Sequence, residues 1–231
     1  VRTRRPLVPV ILMTSEGSEE IAVQALRRGA ASYVPKRRLA QDILATVRGV
    51  LGVAGQQRGR ARLLGHLSQS NCAFELPNDC TLFEPLIGYL QESITQLGIC
   101  DESDYTRISI ALAEALSNAA FHGNLEIPSA LRGDDEDAYC RMIDERLQKR
   151  PYCERRIHVV ATMSREEARF VVRDEGPGFD PQSLPDPTDP ANLEKLSGRG
   201  VLLMRSFMDE LTYSPRGNEV TLVKRCNNTR S

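Results

Sequence analysis

The sequence predicts an α/β protein in two parts: a short βαβα unit, then an α/β sandwich with a mixed, largely antiparallel sheet and helices on one face. Three observations carry this. Strand-like and helix-like apolar runs alternate over residues 8–53. A helix over 104–123 has one apolar face and a polar stripe. Alternating strands at 156–163, 168–174, 210–214 and 218–225 are joined by turns rich in glycine and proline.

At 231 residues, with 41% hydrophobic and 26% charged residues, the chain can bury one large core or two smaller ones. A formal net charge of -1 provides no basic footprint for nucleic acid and no polybasic membrane patch. The Arg2 to Arg5 and Arg58 to Arg62 clusters read as solvated ends and linker. None of the six cysteines has metal-ligand or CxxC spacing, and no signal peptide or long apolar span is present. A cytoplasmic protein with reduced thiols is expected.

Residues 8–13 are a wholly apolar run of the kind found in a buried parallel strand. A helix follows over 18–28, with Ile21, Ala22, Ala25 and Leu26 on one face and Gly29 as its stop. Residues 31–34 make a second strand, and 42–53 a second amphipathic helix carrying Ile43, Leu44, Val47, Val50 and Leu51. PVILMTSEG resembles the fourth strand of a response-regulator receiver domain, ending in the hydroxyl residue Thr14. GAASYVPK places Tyr33 and Lys36 like that family's aromatic switch residue and phosphate-contacting lysine, although Arg37 stands where the family usually has proline.

The resemblance implies the C-terminal half of a receiver over 1–54, because the family's acidic pocket and phospho-accepting aspartate lie on strands that would precede Val1. No phosphorylation by acetyl phosphate is expected. The first strand would have a neighbour on one side only, so either a longer native protein or self-association through 7–34, a homodimer for example, is expected.

Residues 55–70, rich in Gly, Gln and Arg, read as a partly helical linker. His66 falls in it, without room for the dimerising helical hairpin that a phosphorylated histidine would need. An edge strand over 72–76 leads through Pro77-Asn78-Asp79 to a helix over 82–97, with Leu82, Leu86, Leu90, Ile94 and Leu97 in register and Gly98 as its stop. Asp101 to Asp104 make an acidic start for the next helix. The polar stretch 127–156, with a helix over 136–149, reads as an insertion at the domain edge.

The polar stripe consists of Glu114, Asn118 and His122, at i, i+4 and i+8. A carboxylate and a carboxamide one turn apart set a proton acceptor beside an oxygen ligand suited to Mg²⁺. At the end of the strand over 168–174, Asp174-Glu175-Gly176-Pro177-Gly178-Phe179 offers a carboxylate able to accept from an exocyclic amine, with glycines that let backbone approach a ligand. The proline-rich stretch 180–197 is long enough for a lid. Ser197-Gly198-Arg199-Gly200 then opens a helix, where free amides suit phosphate oxygens. Alone, each piece has a plainer reading: a solvated helix face, a turn, a helix cap.

Together, in this order and on these elements, they resemble the Bergerat ATP-binding fold of the GHKL ATPases and kinases. ExxxNAxxHGN is similar to its N box, DEGPGF to its adenine box, SGRG to its second glycine box, and Thr221 to its late threonine near the adenine. The resemblance covers about Cys72 to Arg225 within a domain expected over 71–231, and the EALSNAAFHG and RG…LLMRSFMDEL strings most resemble the serine-kinase anti-sigma factors of bacterial partner switching. That resemblance implies ATP and Mg²⁺ as cofactors and phosphorylation of a serine or threonine on an antagonist protein, with Glu114 catalytic and Asn118 holding the metal. Asp174 would select adenine. His122, Gly176, Gly178, Gly198, Arg199, Gly200 and Thr221 would complete the nucleotide site, and a sigma factor would be a further partner. Two alternatives stand beside this: a non-catalytic ATP-binding regulator that sequesters its partner, and a receiver-type scaffold with a vestigial nucleotide site.

Overall fold

A computed structural model of the protein describes residues 8–15, 19–99, 102–129, 131, 136–183 and 199–225. Two compact units divide the chain, one ending at His66 and the other beginning at Leu67. Among the described residues no helix is long and apolar enough to cross a membrane.

The first unit contains β1 (Ile11–Thr14), α1 (Glu19–Arg27), β2 (Ser32–Pro35) and α2 (Leu39–Leu64). β1 and β2 pair in parallel with Thr14 opposite Pro35, which sets Thr14 and Lys36 at the same end of the pair. Val34 is buried, whereas Val8 and Met13 stay exposed, and among the described residues β1 pairs only with β2. The helix α2 runs for 26 residues and takes in most of the stretch read as linker. Gly49, Gly52, Gly55 and Gly59 lie in it with open space around each α-carbon. Each glycine costs a helix about 1 kcal/mol relative to alanine, which weakens the helix without ending it.

The second unit opens with β3 (Gln69–Leu76), α3 (Phe83–Leu97) and α4 (Glu102–Ser117). α4 passes directly into a π-helix over Asn118–Asn124. Then come α5 (Glu136–Gln148), β4 (Ile157–Ser164), β5 (Glu167–Arg173), α6 (Arg199–Phe207), β6 (Glu210–Tyr213) and β7 (Glu219–Arg225). The strands form a five-stranded sheet in the order β3-β4-β5-β7-β6, with every neighbouring pair antiparallel.

Strand alternation divides the sheet into two faces. Ile157, Val159, Ala161 and Met163 of β4, Phe170 and Val172 of β5, and Leu222 of β7 point into the core. Leu86, Leu90 and Ile94 of α3, Ile108, Leu112 and Leu116 of α4, and Met204 of α6 meet them. Each large apolar side chain fully buried this way contributes about 1.5–3 kcal/mol. α3 stops where expected: Gly98 adopts φ 65, and its amide returns to the Ile94 and Thr95 carbonyls. The consequence for function is that the end of α4 and the C-terminal end of β5 wall one cavity, which Ala115 and Val172 both line.

Candidate functional site

At the end of α4 the helix widens. From Asn118 to Asn124 the backbone takes the π form, an uncommon arrangement that recurs at functional sites. Asn118 and His122 line a cavity of about 360 Å³ beneath it, and Val172, Asp174, Gly178, Phe179, Gly200, Asn218 and Val220 line it from other elements. His122 is fixed by a 2.7 Å hydrogen bond between its Nδ1 and the Ile127 carbonyl oxygen. Phe179 and Tyr213, both lining the cavity, meet edge to face with ring centroids 5.3 Å apart.

Asp174 follows the last residue of β5 and is 8% exposed. The Gly176 amide donates to its Oδ1 at 2.8 Å, its own amide donates to the Asn218 carbonyl at 3.0 Å, and Asn218 Nδ2 donates to its carbonyl at 2.9 Å. Burial pushes its carboxyl up to about 6, against the pull of the Gly176 amide and the charges of Arg155 and Arg216. Among the described residues few donors reach this buried carboxylate, which fits a ligand that brings an N–H group to it.

The glycines around Asp174 are placed by close approach. A methyl group on Gly123 would overlap the Asp174 carboxyl, and one on Gly176 would overlap the Gly123 carbonyl. Gly178, at φ 80, packs on the Arg216 carbonyl, and Gly217, at φ 77, packs on that of Phe179. The Phe179 amide donates to the Arg216 carbonyl at 3.1 Å. Arg216 donates in return from Nη2 to the Gly176 carbonyl at 3.1 Å and from Nε to that of Pro177 at 3.3 Å. The turn after β5 is thus tied to the β6–β7 turn.

The residues singled out in the sequence fall into groups. Asn118, His122, Asp174, Gly178 and Gly200 share the cavity wall. Gly176 sits just behind it, and Glu114 stands against Gly200, where an added methyl group would overlap its Oε2 and come within 3.8 Å of Asn118 Nδ2. Arg199 is the first residue of α6. Gly198, and the segment 184–198 that holds most of the expected lid, lie outside the described residues. Thr221 is not brought to the cavity. Val220 lines the cavity and Leu222 is in the core, so alternation turns Thr221 to the opposite face of the sheet. Gly123, Arg216, Gly217 and Asn218 were missed in the sequence. The turn signal of Pro215-Arg216-Gly217 was visible there, but nothing local pairs it with Phe179.

The donor set fits a nucleotide with a hard cation. Among the described residues no cluster of three or more His, Cys, Asp or Glu side chains could hold a metal. Asn118, beside Gly200 at the start of α6, offers a side-chain oxygen that suits an ion taking few protein ligands and completing its shell with phosphate and water.

A family model described as a histidine kinase-like ATPase domain matches residues 76–224. A search of curated proteins returns no match. Among solved structures, the chain is similar to the RsbU and RsbW domains of Rv1364c from Mycobacterium tuberculosis, at 16% identity and a TM-score of 0.41. That match covers 68% of this chain and 32% of the other, so the chain spans about a third of its relative's length.

Proposed function

Because the chain belongs to the histidine kinase-like ATPase domain family over residues 76–224, we propose that its cavity binds Mg·ATP and that the protein phosphorylates a serine or threonine on an antagonist-type partner. The observation that carries the nucleotide reading is Asp174: buried, short of donors and walled in by glycines on the cavity edge. Bound ATP supplies the transferable γ-phosphoryl group, and catalysis of such a transfer is chiefly positioning and charge stabilisation.

The chain's own residues divide that work. Asp174 accepts the exocyclic amine of adenine, and Val172 and Val220 give the base an apolar wall. The first turn of α6 presents backbone amides towards phosphate, with Gly200 free of a side chain that would collide with Glu114. Asn118 would hold the metal through its side-chain oxygen. Glu114, one helical turn before it, accepts or orients the proton of the incoming hydroxyl.

Support for a kinase of the partner-switching kind comes from the EALSNAAFHG string and the α6 sequence, both similar to anti-sigma serine kinases. A sigma factor is then a second partner. Residues 1–54 supply a receiver-like input segment in this reading, with 55–70 leading to the ATPase domain over 71–231. Incubating the protein with γ-labelled ATP and candidate antagonist proteins from the same genome tests the proposal. Label on a partner serine or threonine is expected. Tight ATP binding with no transfer to any partner would favour the non-catalytic regulator.

A further inference from the structure

Ile127 and Ser129 line the cavity, and the described residues 136–156 that follow carry a polar network that reaches it. Arg146 of α5 and Arg155, just before β4, both lie over the Tyr152 ring, at 4.8 and 5.2 Å from its centroid. Arg146 Nη1 donates to the carbonyls of Leu125 and Glu126, the latter at 2.6 Å. Arg155 Nη1 donates to the Asn124 carbonyl at 2.7 Å and to the Glu126 carboxylate at 2.8 Å. Three successive carbonyls leaving the π-helix are therefore held by two guanidinium groups. Glu126 itself sits at φ 52, a left-handed conformation that a non-glycine residue keeps only when its surroundings hold it.

The network reaches the base site through Asn124, which is 0% exposed. Its Nδ2 donates to Asn78 Oδ1 at 2.8 Å, and its Oδ1 accepts the Glu175 amide at 2.8 Å. Asn78 Nδ2 closes the circuit on the Tyr152 carbonyl at 3.0 Å. The chain neighbours of Asn124 and Glu175, namely Gly123 and Asp174, pack so closely that a methyl group on Gly123 would overlap the Asp174 carboxyl. Moving the Asn124 backbone therefore moves the wall against which the Asp174 carboxylate rests.

We propose that residues 146–156 are a clamp on the Asp174–Gly176 turn, with Arg155 as its chief positioning residue, and that this clamp sets the affinity for the nucleotide base. The affinity part rests on the nucleotide reading above; the clamp itself does not. Arg155 also adds positive charge near Asp174. The other charged or titratable groups around that carboxyl are Arg216 from the β6–β7 turn, His122 and Glu219 on the cavity wall, and Glu175, whose carboxylate is held by His158 at 2.9 Å.

The test uses the full chain with Arg155→Met, Arg155→Lys and, as a control away from the cavity, Lys224→Met. In ligand-free protein, carbon-13 NMR follows the Asp174 carboxyl titration and amide exchange follows Glu175; calorimetry then gives the ATP dissociation constant. Arg155→Met is expected to raise the Asp174 midpoint, to speed Glu175 exchange, and to weaken ATP about tenfold, the scale of one lost charge-assisted hydrogen bond. Arg155→Lys, which keeps the charge, should return the midpoint towards that of the native protein, and Lys224→Met should change neither local readout. If Arg155→Met does not fold, Arg146→Met is expected to show the same faster exchange at Glu175.

An unchanged Asp174 midpoint and Glu175 exchange in the arginine variants would overturn the clamp, as would equal changes in Lys224→Met. Shifts at Asp174 and Glu175 in a protein that binds no ATP would leave the clamp standing and remove the nucleotide reading instead.

Discussion

Replacing Asp174 with asparagine should make the ligand-free protein more stable while weakening its hold on ATP. The carboxyl is raised from 3.8 to about 6 by burial. At 1.36 kcal/mol per pH unit, a charged Asp174 therefore costs the fold about 3 kcal/mol. The sign follows from linkage: a raised carboxyl favours the protonated folded state, so this contribution is fully present below the unfolded value of 3.8 and is lost as pH rises through about 6. Asparagine is neutral throughout and still offers Oδ1 to the Gly176 amide.

Asp174→Asn should accordingly gain about 1–3 kcal/mol at pH 7, with the gain fading towards pH 4. The same change sets an amide N–H₂ where the adenine amine needs an acceptor and should weaken ATP about 10- to 100-fold. Urea unfolding at pH 7 and pH 4.5, with calorimetry at pH 7, measures both effects. A variant less stable than the native protein at pH 7, or a gain that does not shrink in acid, would refute the reasoning.

Further outcomes follow from other residues. Glu114→Ala should keep ATP binding within about threefold and lower phosphoryl transfer by about 10²–10⁴-fold in a single-turnover assay with labelled ATP; undiminished transfer would remove Glu114 from the chemistry. Gly123→Ala drives a methyl group into the Asp174 carboxyl and should abolish ATP binding while leaving the far-ultraviolet circular dichroism native-like. ATP affinity, finally, should fall as pH drops below about 6, as Asp174 takes up a proton; a flat profile from pH 8 to 5 would contradict its role.

What the sequence revealed depended on how local the cause was. Period and punctuation sufficed for α3, where Leu86, Leu90, Ile94 and Leu97 share a face and Gly98 supplies the left-handed stop. Alternation sufficed for β4 and β5, because both bury one face only. The stripe of Glu114, Asn118 and His122 marks the helix that walls the cavity but not its π form. That form comes with tertiary bonds that no local pattern records: Asn124 to Asn78 and Glu175, and Arg146 and Arg155 to the carbonyls beyond.

Thr221 shows a second limit. A motif places a residue on a strand, but a single step in register decides the face, and here Val220 holds the cavity side. The four open glycines of α2 show a third, since residues that weaken a helix do not end it when no competing structure is offered.

The most direct test of the site compares ATP with purine riboside triphosphate, which lacks only the exocyclic amine, by calorimetry at pH 7.5 with Mg²⁺. If Asp174 accepts that amine, ATP should bind about 10- to 100-fold more tightly to the native protein, and the preference should disappear in Asp174→Asn. Equal affinity of the native protein for the two nucleotides would contradict the assignment of Asp174, and with it the placement of the base in this cavity.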